Sequence, residues 1–462
     1  MIARIILLLS TLIFAHFQAI ASVNGSSSFQ VVVYNVENLF DIDGKSLYKD
    51  YEKEMYGMEE LENKLDKICD VLRRIGGKEG PDIILFQEIE VDRTPDEYLS
   101  ATEHLLKEMK IRGMGPYFFS LGYNPNDAPE KWPAVHCLTL SKFPITDSQL
   151  HPLLNARPIL ETTISVDGCQ LTLFNNHWKS GASSAKMENF RLQNAKVLRE
   201  RIDFLIKQNP KTDFIVGGDL NSHYNQSTVY IEEMQRTGIN HILMSSEIEP
   251  AGIDINKKLY NLWHEIPPNK RGSDVWKGKW GTLMHILLPS SLYDNNGVNY
   301  VTDSFRVEKF TDLNEIPGLK IPFEWSNDLS GFGASDHFPL SALFKISNGK
   351  TEQGLSYPKT EIQQRIVNFD HAKKNAQNWR TSFLKPKNFG KTYKIQGIIG
   401  KKNPLTLLID QREFGLYSYE QETRDLLFST KTGSNFSSTG YLSRYRGKWQ
   451  FIIATRDWIE KI

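Results

Sequence analysis

The sequence contains only three cysteines in 462 residues, Cys69, Cys137 and Cys169. Their number is odd, their spacing matches no metal-binding motif, and a chain of this length buries enough apolar surface without covalent cross-links. The sequence therefore excludes a disulfide framework and leaves room for one disulfide at most.

Long apolar runs are missing beyond the first 21 residues. Residues 1–21 carry one positive charge, then an apolar stretch from Ile5 to Phe14, and end in the small-x-small pattern Ala19-Ile20-Ala21. This is the pattern of a secretory signal peptide, and its apolar stretch is too short to cross a bilayer. We therefore expect a signal peptide over 1–21, with no lipid-anchor cysteine beside it, and a secreted or periplasmic protein without an integral membrane segment.

The chain also lacks a net charge, since 55 Lys and Arg balance 55 Asp and Glu. The balance is uneven along the chain, because residues 351–462 contain 19 Lys and Arg against 10 Asp and Glu. This asymmetry predicts a domain boundary near residue 350 and favours an anionic partner for the C-terminal part. A basic surface that is merely solvated is the alternative.

Short apolar strands alternate with longer helical patterns over residues 28–347. A β-branched strand over 30–36 is followed by a helical pattern over 59–74, and a second long helix is predicted over 185–208. A hairpin turn is predicted at Asp167-Gly168. The alternation predicts an α/β fold, and the chain length predicts two or three domains.

Polar side chains stand at the ends of several of these strands. The apolar run Phe214-Ile215-Val216 stops on two glycines and delivers Asp219 and Asn221, which project to one side of an extended chain. One Gly-Asp-x-Asn segment could be an ordinary turn. Repetition at strand ends, however, is typical of an α/β active site. The polar residues in such places are Asn35, Glu37, Glu88, His177, Asp219, Asn221, Asp336 and His337.

Five segments resemble, in the same order, the signature motifs of the endonuclease/exonuclease/phosphatase superfamily. They are Asn35-Val-Glu37, Gln87-Glu88, Asn176-His177-Trp-Lys-Ser, Gly218-Asp219-Leu-Asn221 and Ser335-Asp336-His337-Phe-Pro. The superfamily includes pancreatic-type deoxyribonucleases, abasic-site endonucleases, sphingomyelinases and inositol-polyphosphate phosphatases. The resemblance covers residues 28–347 and implies a four-layer α/β/β/α sandwich of two mixed sheets with helices outside.

The resemblance also implies hydrolysis of phosphate esters with Mg²⁺ or Mn²⁺, Ca²⁺ being a further candidate. Such hydrolysis needs a metal to neutralise a phosphate oxygen, an aligned water and a group that stabilises the leaving oxygen. Hard cations prefer carboxylate oxygen. The implied metal ligands are Glu88, Glu37 and Asp336.

The other implied roles divide between catalysis and phosphate binding. Asp219 would orient or activate the water, His337 and His177 would act as acid and base or as charged donors, and the two asparagines would hold phosphate or water. The implied catalytic residues are His177, Asp219, Asn221, His337 and Asn35. The implied phosphate-binding residues are Arg157, Asn176 and Lys179.

One position departs from the family pattern. Many members carry an aspartate in the segment Trp-Gly-Thr-Leu-x-His-Ile-Leu, where it accepts a hydrogen bond from the histidine of the Ser-Asp-His motif. Here that position is Met284, and a thioether is only a weak acceptor. Either another acid, such as Asp274 or Asp303, supports His337, or its imidazole is less basic and less well oriented. We expect an active but slower enzyme; a non-catalytic binding protein is the alternative.

The C-terminal part has a different pattern. Residues 348–390 predict a linker and one helix, and residues 391–462 predict five short strands that form a small OB-like β-barrel. Stacking and phosphate neutralisation by its residues would suit a nucleic-acid strand. An accessory barrel with a core of aromatic side chains is the alternative. The candidate binding residues are Lys401, Lys402, Tyr441, Arg444, Arg446, Lys448 and Trp449.

These features predict an exported, metal-dependent, monomeric nuclease with a preference for DNA over RNA. The basic C-terminal module and the absence of an apolar membrane-inserting hairpin favour nucleic acid over lipid. A phosphatase or a sphingomyelinase-like lipid phosphodiesterase would use the same core site, so both stay as alternatives.

Overall fold

The computed structural model describes residues 28–95, 97–247, 257–311, 313–325, 333–347, 364–445 and 447–461. The predicted signal peptide and Arg446 lie outside these ranges. Within them, no helix has both the length and the apolar character that crossing a membrane requires. All three cysteines are free thiols, two of them buried.

The first sheet has seven strands and is mixed. Its strands are β1 (Ser28–Leu39), β2 (Ile83–Glu90), β3 (Phe118–Leu121), β4 (Val135–Ser141), β14 (Gly297–Tyr300), β15 (Arg306–Val307) and β16 (Leu340–Ser347). They are ordered β14-β16-β1-β2-β4-β3, with β15 also paired to β16. Strands β1 and β2 are parallel, whereas β16 and β4 pair antiparallel on either side of them.

The second sheet also has seven strands, in the order β5-β6-β7-β8-β13-β10-β9. Its strands are β5 (Ile145–His151), β6 (Ile159–Val166), β7 (Cys169–His177), β8 (Phe214–Asp219), β9 (Ser245–Ser246), β10 (Leu259–Asn261) and β13 (Met284–Leu288). Strands β7 and β8 are parallel, as are β9 and β10. The separate hairpin of β11 (Asp274–Trp276) and β12 (Lys279–Gly281) lies outside both sheets.

The two sheets pack face to face, with helices on the outer faces. Val31 and Val33 of the first sheet share one apolar core with Leu171 and Leu173 of the second. The helices are α1 (Met58–Gly76), α2 (Ala101–Ile111), α3 (Ala185–Gln208) and the short α4 (Gln226–Val229). Helices α1 and α2 cover the first sheet, and α3 covers the second. This arrangement confirms the predicted α/β/β/α sandwich.

Sequence signals account for the helix ends and for the short helical turns between strands. Ser100 caps α2 in a capping box with Glu103, and Ser184 caps α3. A π-helix spans Gly238–Ile242. The 3₁₀ turns are Lys49–Tyr51, Pro129–Lys131, Leu262–Glu265, Pro268–Lys270, Ser290–Tyr293, Thr381–Phe383, Pro386–Asn388 and Arg456–Trp458.

The C-terminal region is a closed five-stranded barrel, as predicted. Helix α5 (Phe369–Lys374) and β17 (Gln377–Asn378) precede it, and β23 (Ile459–Lys461) follows it. The barrel consists of β18 (Thr392–Lys402), β19 (Leu405–Ile409), β20 (Arg412–Tyr417), α6 (Gln421–Ser429), β21 (Asn435–Tyr445) and β22 (Lys448–Ile452). The strand order is β18-β19-β20-β22-β21, and the pairing of β18 with β21 closes it. The barrel is of the OB type, with its helix between the third and fourth strands.

The barrel packs against the sandwich instead of standing apart from it. Ile316, Leu319 and Phe323 belong to the same apolar core as the barrel strands. Phe323 also stacks on Phe389, with ring centroids 5.3 Å apart. The C-terminal part is therefore anchored on the segment between β15 and β16.

Candidate active site

The predicted site residues come together where two pairs of parallel strands end. Asn35 and Glu88 lie on β1 and β2 of the first sheet, and Asp219 ends β8 of the second. The Asn35 amide donates to Glu88 Oε1 at 3.0 Å and to Asp219 Oδ2 at 3.1 Å. Since these residues are far apart in sequence, this one amide ties the edges of both sheets into a single site.

The backbone is strained at three of the site residues. Glu37, Glu88 and Asn221 have φ angles of 53°, 68° and 46°, in the left-handed region that non-glycine residues seldom adopt. The strand registers shift between Asn35 and Leu39 and between Phe86 and Ile89, which places β-bulges at both glutamates. Bulges and positive φ values change the direction of side chains next to active sites. The irregular backbone therefore sets the direction of the Glu37 and Glu88 carboxylates.

The two histidines flank the carboxylate cluster and differ in charge. His177 Nε2 lies 3.6 Å from Glu88 Oε1, and His337 Nε2 lies 3.8 Å from Asp219 Oδ2. Burial, together with the charges of Arg157 and His337, lowers the pKa of His177 well below its usual value. Burial also works against charging His337, but the carboxylates of the site overcome it and raise its pKa to about 9. At neutral pH the site therefore holds one neutral and one charged imidazole.

Asp274 is the acid that accompanies His337. The two residues form an isolated antiparallel bridge, and the Asp274 carboxylate is among the charges that raise the His337 pKa. Gly281 leaves room for that carboxylate, since a Cβ there would lie 1.9 Å from Asp274 Oδ2. Asp303, the other candidate, is exposed. Of the two acids left open by the sequence, the structure brings Asp274 to the histidine.

Met284 itself belongs to the apolar core. Its side chain is fully buried among residues of both sheets, and its carbonyl accepts a hydrogen bond from Trp263 Nε1. It pairs with Asp219 across β13 and β8. Met284 thus packs in the core behind the site. Asp274, which pairs with His337 in the isolated bridge, belongs instead to the β11–β12 hairpin.

The Asp219 carboxylate accepts one hydrogen bond at each oxygen, and these bonds compensate its negative charge only in part. Its Oδ1 accepts from Asn221 N at 2.8 Å, and its Oδ2 from Asn35. Burial raises its pKa, although His337 and these hydrogen bonds oppose the shift. The Asn221 amide donates to Trp178 O at 3.2 Å. Both predicted asparagines are therefore engaged in ordering the site, which limits what they can offer a phosphate.

The charge of Asp336 acts on the other two carboxylates that are predicted to bind metal. Burial and the charge of Asp336 raise the pKa of Glu88 and of Glu37. Among the residues described, no three acidic, histidine or cysteine side chains form a complete metal cage. Mg²⁺ commonly uses one or two carboxylates and completes its shell with water and substrate phosphate. Two carboxylates that both retain solvent exposure, Glu88 and Asp336, fit that mode.

The predicted phosphate-binding residues differ in whether their side chains are free to contact a phosphate. Arg157 lies near the site, because its charge lowers the pKa of both Glu88 and His177. Asn176 is fully buried and donates to Phe174 O and Gly217 O. Its Oδ1 accepts from Trp178 Nε1, so the amide shapes the loop and has no donor left for a phosphate.

Lys179 sits on a loop that a buried arginine fixes. Its backbone carbonyl accepts from Arg191 Nη1 at 3.0 Å, and the same nitrogen donates to Gly181 O. Arg191 in turn pairs with Glu188 at 2.7 Å, with both side chains almost fully buried. Sequence reasoning missed this pair, although both residues lie on the inner face of α3.

A buried lysine was also missed. Lys64 is fully buried under the site, and its Nζ donates to Glu37 O at 3.1 Å and to Ala334 O at 3.0 Å. It thereby ties the loop of β1 to the loop that carries Asp336. The signal was present in the sequence, since Lys64 occupies the apolar stripe of α1 between Leu61 and Leu65.

Part of the chain matches a known protein family. A profile of the Endonuclease/Exonuclease/phosphatase family matches residues 137–345. That segment contains His177, Asp219 and His337. The segment from residue 137 to residue 345 is therefore similar to the endonuclease/exonuclease/phosphatase superfamily, as the sequence motifs led us to expect. This family generally hydrolyses phosphodiester bonds. No curated protein sequence matches the chain.

Several solved structures of family-like proteins also align with the chain. D. rerio TDP2 complexed with single strand DNA product is 15% identical, covering 69% of this chain and 99% of that one, with a TM-score of 0.42. The human Nocturnin catalytic domain with bound sulfate is 16% identical, covering 70% and 97%, with a TM-score of 0.40. Beta toxin from Staphylococcus aureus is 18% identical, covering 68% and 99%, with a TM-score of 0.38.

The candidate nucleic-acid residues of the barrel do not form one patch. Thr392 pairs with Tyr441, so Lys402 lies ten residues further along β18, about 30 Å by strand geometry. Lys402 Nζ donates to carbonyls at the end of α6, among them Phe428 O at 2.9 Å. Lys401 pairs with exposed Glu413. These two lysines are thus at the opposite end of the barrel from the remaining candidates.

At the other end, the aromatic candidates are partly committed to the barrel. Tyr441 and Trp449 are half-buried against its apolar core, and Arg444 lies over the Trp449 ring at 5.6 Å. Lys448 is exposed. The aromatic candidates Tyr441 and Trp449 therefore contribute to the packing of the barrel.

Proposed function

We propose that the chain is a metal-dependent nuclease that cleaves phosphodiester bonds of DNA. The observation that carries the proposal is the Asn35 amide shared between Glu88 and Asp219, with a neutral and a charged histidine beside those carboxylates. Paired groups with separated pKa values are the arrangement that acid–base chemistry requires.

Glu88 and Asp336 are the residues that would hold Mg²⁺ or Mn²⁺, with Glu37 behind them. A bound cation would neutralise charge on a non-bridging phosphate oxygen. Glu37 is less available as a direct ligand, because its Oε2 already accepts from Trp325 N at 2.7 Å. We therefore assign Glu88 the principal role and Glu37 a supporting one.

Asp219 and His337 divide the proton handling in this proposal. Asp219 has a carboxylate whose raised pKa suits it to accept a proton from the attacking water. His337 is charged at neutral pH and would donate to the phosphate or the departing oxygen. His177 is neutral and would act as a hydrogen-bond partner, with Arg157 supplying positive charge near Glu88.

The choice of DNA as the substrate rests on the positive charge of the C-terminal part and not on a DNA-binding motif. Residues 351–462 carry an excess of nine positive charges, which suits an extended polyanion. A lipid phosphodiesterase or a phosphatase would use the same core site. The charge of Asp274, which favours the protonated form of His337, argues against the non-catalytic alternative.

Export and a monomeric state complete the proposal. The pattern over residues 1–21 supports cleavage after Ala21, which mass spectrometry of the protein recovered from the producing cell's periplasm or medium would reveal. Light scattering of the purified mature protein gives the oligomeric state. An intact N-terminus would overturn the export proposal, and a dimer mass would overturn the monomer.

A panel of substrates tests the substrate class. The mature protein with Mn²⁺ is offered single-stranded DNA, RNA of the same sequence, sphingomyelin vesicles and a phosphomonoester, each with and without EDTA. The proposal expects DNA to have the largest kcat/KM and all turnover to need the metal. Faster turnover of vesicles or of the monoester would replace DNA with that substrate while keeping the core chemistry.

A further inference from the structure

A second polar pocket borders the candidate active site. Its walls include His223, two residues beyond Asn221, and Trp280 and Thr282, which flank the glycine that accommodates Asp274. It opens to solvent, and the space that it encloses is about 30 Å³. The pocket therefore shares the loop after β8 and the β11–β12 hairpin with the candidate site.

Two cations that line the pocket, Arg271 and Arg365, and a third beside them, Lys309, lie over aromatic rings. Arg271 lies 4.6 Å over Tyr224, Arg365 lies 4.3 Å over Trp280, and Lys309 Nζ lies 4.7 Å from the same tryptophan ring. Within the described residues, none of the three forms an ion pair with a carboxylate within 4 Å. Burial and the charge of Arg365 lower the pKa of Lys309 to about 8, so the cations repel each other. An anion would relieve this repulsion.

Arg271 has hydrogen-bonding capacity that the described residues leave unused. It is only 6% exposed, and its Nε donates to Ile266 O at 2.7 Å. Its Nη2 is buried without a hydrogen-bond partner in the described part of the chain. Buried guanidinium groups are normally satisfied, and a carboxylate or phosphate is the acceptor that their geometry fits best.

The pocket wall also contains an imidazole–amide contact. His223 Nδ1 accepts from Thr282 N, and His223 Nε2 hydrogen-bonds Gln364 Nε2 at 3.5 Å, with donor and acceptor set by the tautomer of the ring. Gln364 Nε2 also donates to Trp280 O at 3.1 Å. These two side chains are therefore bonded to each other and to the wall, and they shape the pocket around the arginines.

The segment that follows the sandwich supplies part of this wall. Trp280 N donates to Arg365 O, and Val367 N donates to Gly278 O at 2.9 Å, which adds residues 365–367 to the edge of the β11–β12 hairpin. Arg365 Nη1 also donates to Arg271 O at 3.1 Å. Gln364 and Arg365 are therefore held in place by backbone pairing and do not merely lie on the surface.

We propose that this pocket binds a second phosphate group of the substrate, next to the phosphodiester that is cleaved. Arg271, whose Nη2 has no partner among the described residues, and Arg365 are its donors. The phosphate can belong to the neighbouring diester of a strand or to a terminal monoester. This inference rests on the proposed nuclease function and narrows its substrate class to strands that carry phosphate on both sides of a nucleoside.

The test compares short thymidine oligonucleotides with Mn²⁺ and the mature full-length protein. The substrates are the dinucleoside monophosphate without terminal phosphate, the same molecule phosphorylated at either end, and the trinucleotide with two diesters. We expect the wild-type kcat/KM to rise about tenfold or more when a second phosphate is present. A gain confined to the terminally phosphorylated molecules identifies a monoester site, and a gain for the trinucleotide identifies the neighbouring diester.

Two variants test whether the arginines of the pocket cause the preference for a second phosphate. In Arg271→Met and Arg365→Met we expect the preference for a second phosphate to fall below about threefold, since each loses a charged donor. Arg74→Met, an exposed residue of α1, is the matched control and should keep the wild-type ratio. A wild-type protein without the preference, or variants that retain it, would overturn the inference. Arg365 is half-exposed, so its variant decides the matter if Arg271→Met fails to fold.

A binding experiment separates this inference from the nuclease proposal. If the wild type cleaves none of the oligonucleotides, the nuclease proposal fails, and calorimetry with inorganic phosphate decides the pocket independently. Phosphate affinity that drops at least tenfold in both arginine variants supports the pocket. Equal affinity in wild type and variants overturns it.

Discussion

Asp274 and His337 pair across an isolated backbone bridge, although 62 residues separate them in the sequence. Asp274 Oδ1 accepts from Ser273 Oγ and Leu283 N, which fixes the carboxylate, while His337 Nδ1 is buried without a partner in the described residues. Burial raises the pKa of Asp274 to about 6, partly offset by His337, so it is ionised at neutral pH. Asp274 thus acts on His337 through its charge, since no hydrogen bond joins the two side chains in the described part of the chain.

The first prediction concerns this acid. In Asp274→Asn we expect kcat to fall roughly tenfold to a hundredfold with little change in KM, because the imidazolium loses a charge that orients and stabilises it. Steady-state kinetics on DNA measures the split. The matched control is Asp303→Asn, an exposed acid that should behave as wild type. Equal kinetics in both variants would remove Asp274 from the mechanism.

The second prediction concerns Met284. Restoring the family aspartate with Met284→Asp should not raise kcat, since Asp274 already serves His337. It should instead lower the free energy of unfolding by about 2–4 kcal/mol, because a polar group enters the apolar core. Urea unfolding and turnover are measured side by side, with the volume-conserving Met284→Leu as the control. A faster Met284→Asp enzyme would show that the site lacks an acid after all.

The third prediction concerns the buried pair under the Lys179 loop. Arg191→Met leaves Glu188 as an unpaired buried charge and frees three loop carbonyls, so the free energy of unfolding should drop by about 3–5 kcal/mol. Chemical unfolding measures the loss. The exposed Lys196→Met on the same helix should cost under about 0.5 kcal/mol. Equal stability of the two variants would contradict the structural role of Arg191.

The fourth prediction is a pH dependence of stability far from the site. Burial raises the pKa of Asp213 from 3.8 to about 7, although its Oδ2 accepts from Val298 N. The folded state therefore binds a proton that the unfolded state releases, and stability falls as the pH rises from about 4 through 7.

Asp213→Asn removes this titration while keeping the acceptor oxygen. The variant should match wild type near pH 4 and exceed it by roughly 1–3 kcal/mol at pH 8 in urea unfolding. Asp167→Asn, in an exposed turn, should follow the wild-type profile. Parallel profiles for wild type and Asp213→Asn would refute the raised pKa.

The regular elements were largely predictable because their patterns are local. The helix expected over 185–208 has those bounds as α3, and the Asp167-Gly168 turn has the two positive φ values of a hairpin turn. The buried face of α3 was harder to predict. The apolar Phe190 and Leu205 are only half-buried, whereas the charged Glu188 and Arg191 are fully buried. Hydrophobic periodicity cannot show that two charges will satisfy each other inside.

The site was predictable residue by residue but not in its connections. Sequence placed Asn35, Glu88 and Asp219 at strand ends, and the structure joins them through one amide. It could not choose between Asp274 and Asp303, because the choice depends on a three-residue hairpin strand with little hydrophobic pattern. The sequence also could not show that the strand register of the barrel places Lys401 and Lys402 at the end opposite to the other basic candidates.

The most direct test of the account is nicking of supercoiled plasmid by the mature protein with Mg²⁺ or Mn²⁺, compared with EDTA and with Asp219→Asn. The account predicts nicking by the wild type that EDTA abolishes and that falls at least a hundredfold in the variant, which keeps the shape of Asp219 but loses its charge. Metal-dependent nicking that is undiminished in Asp219→Asn, or a wild type that leaves the plasmid intact, would contradict it.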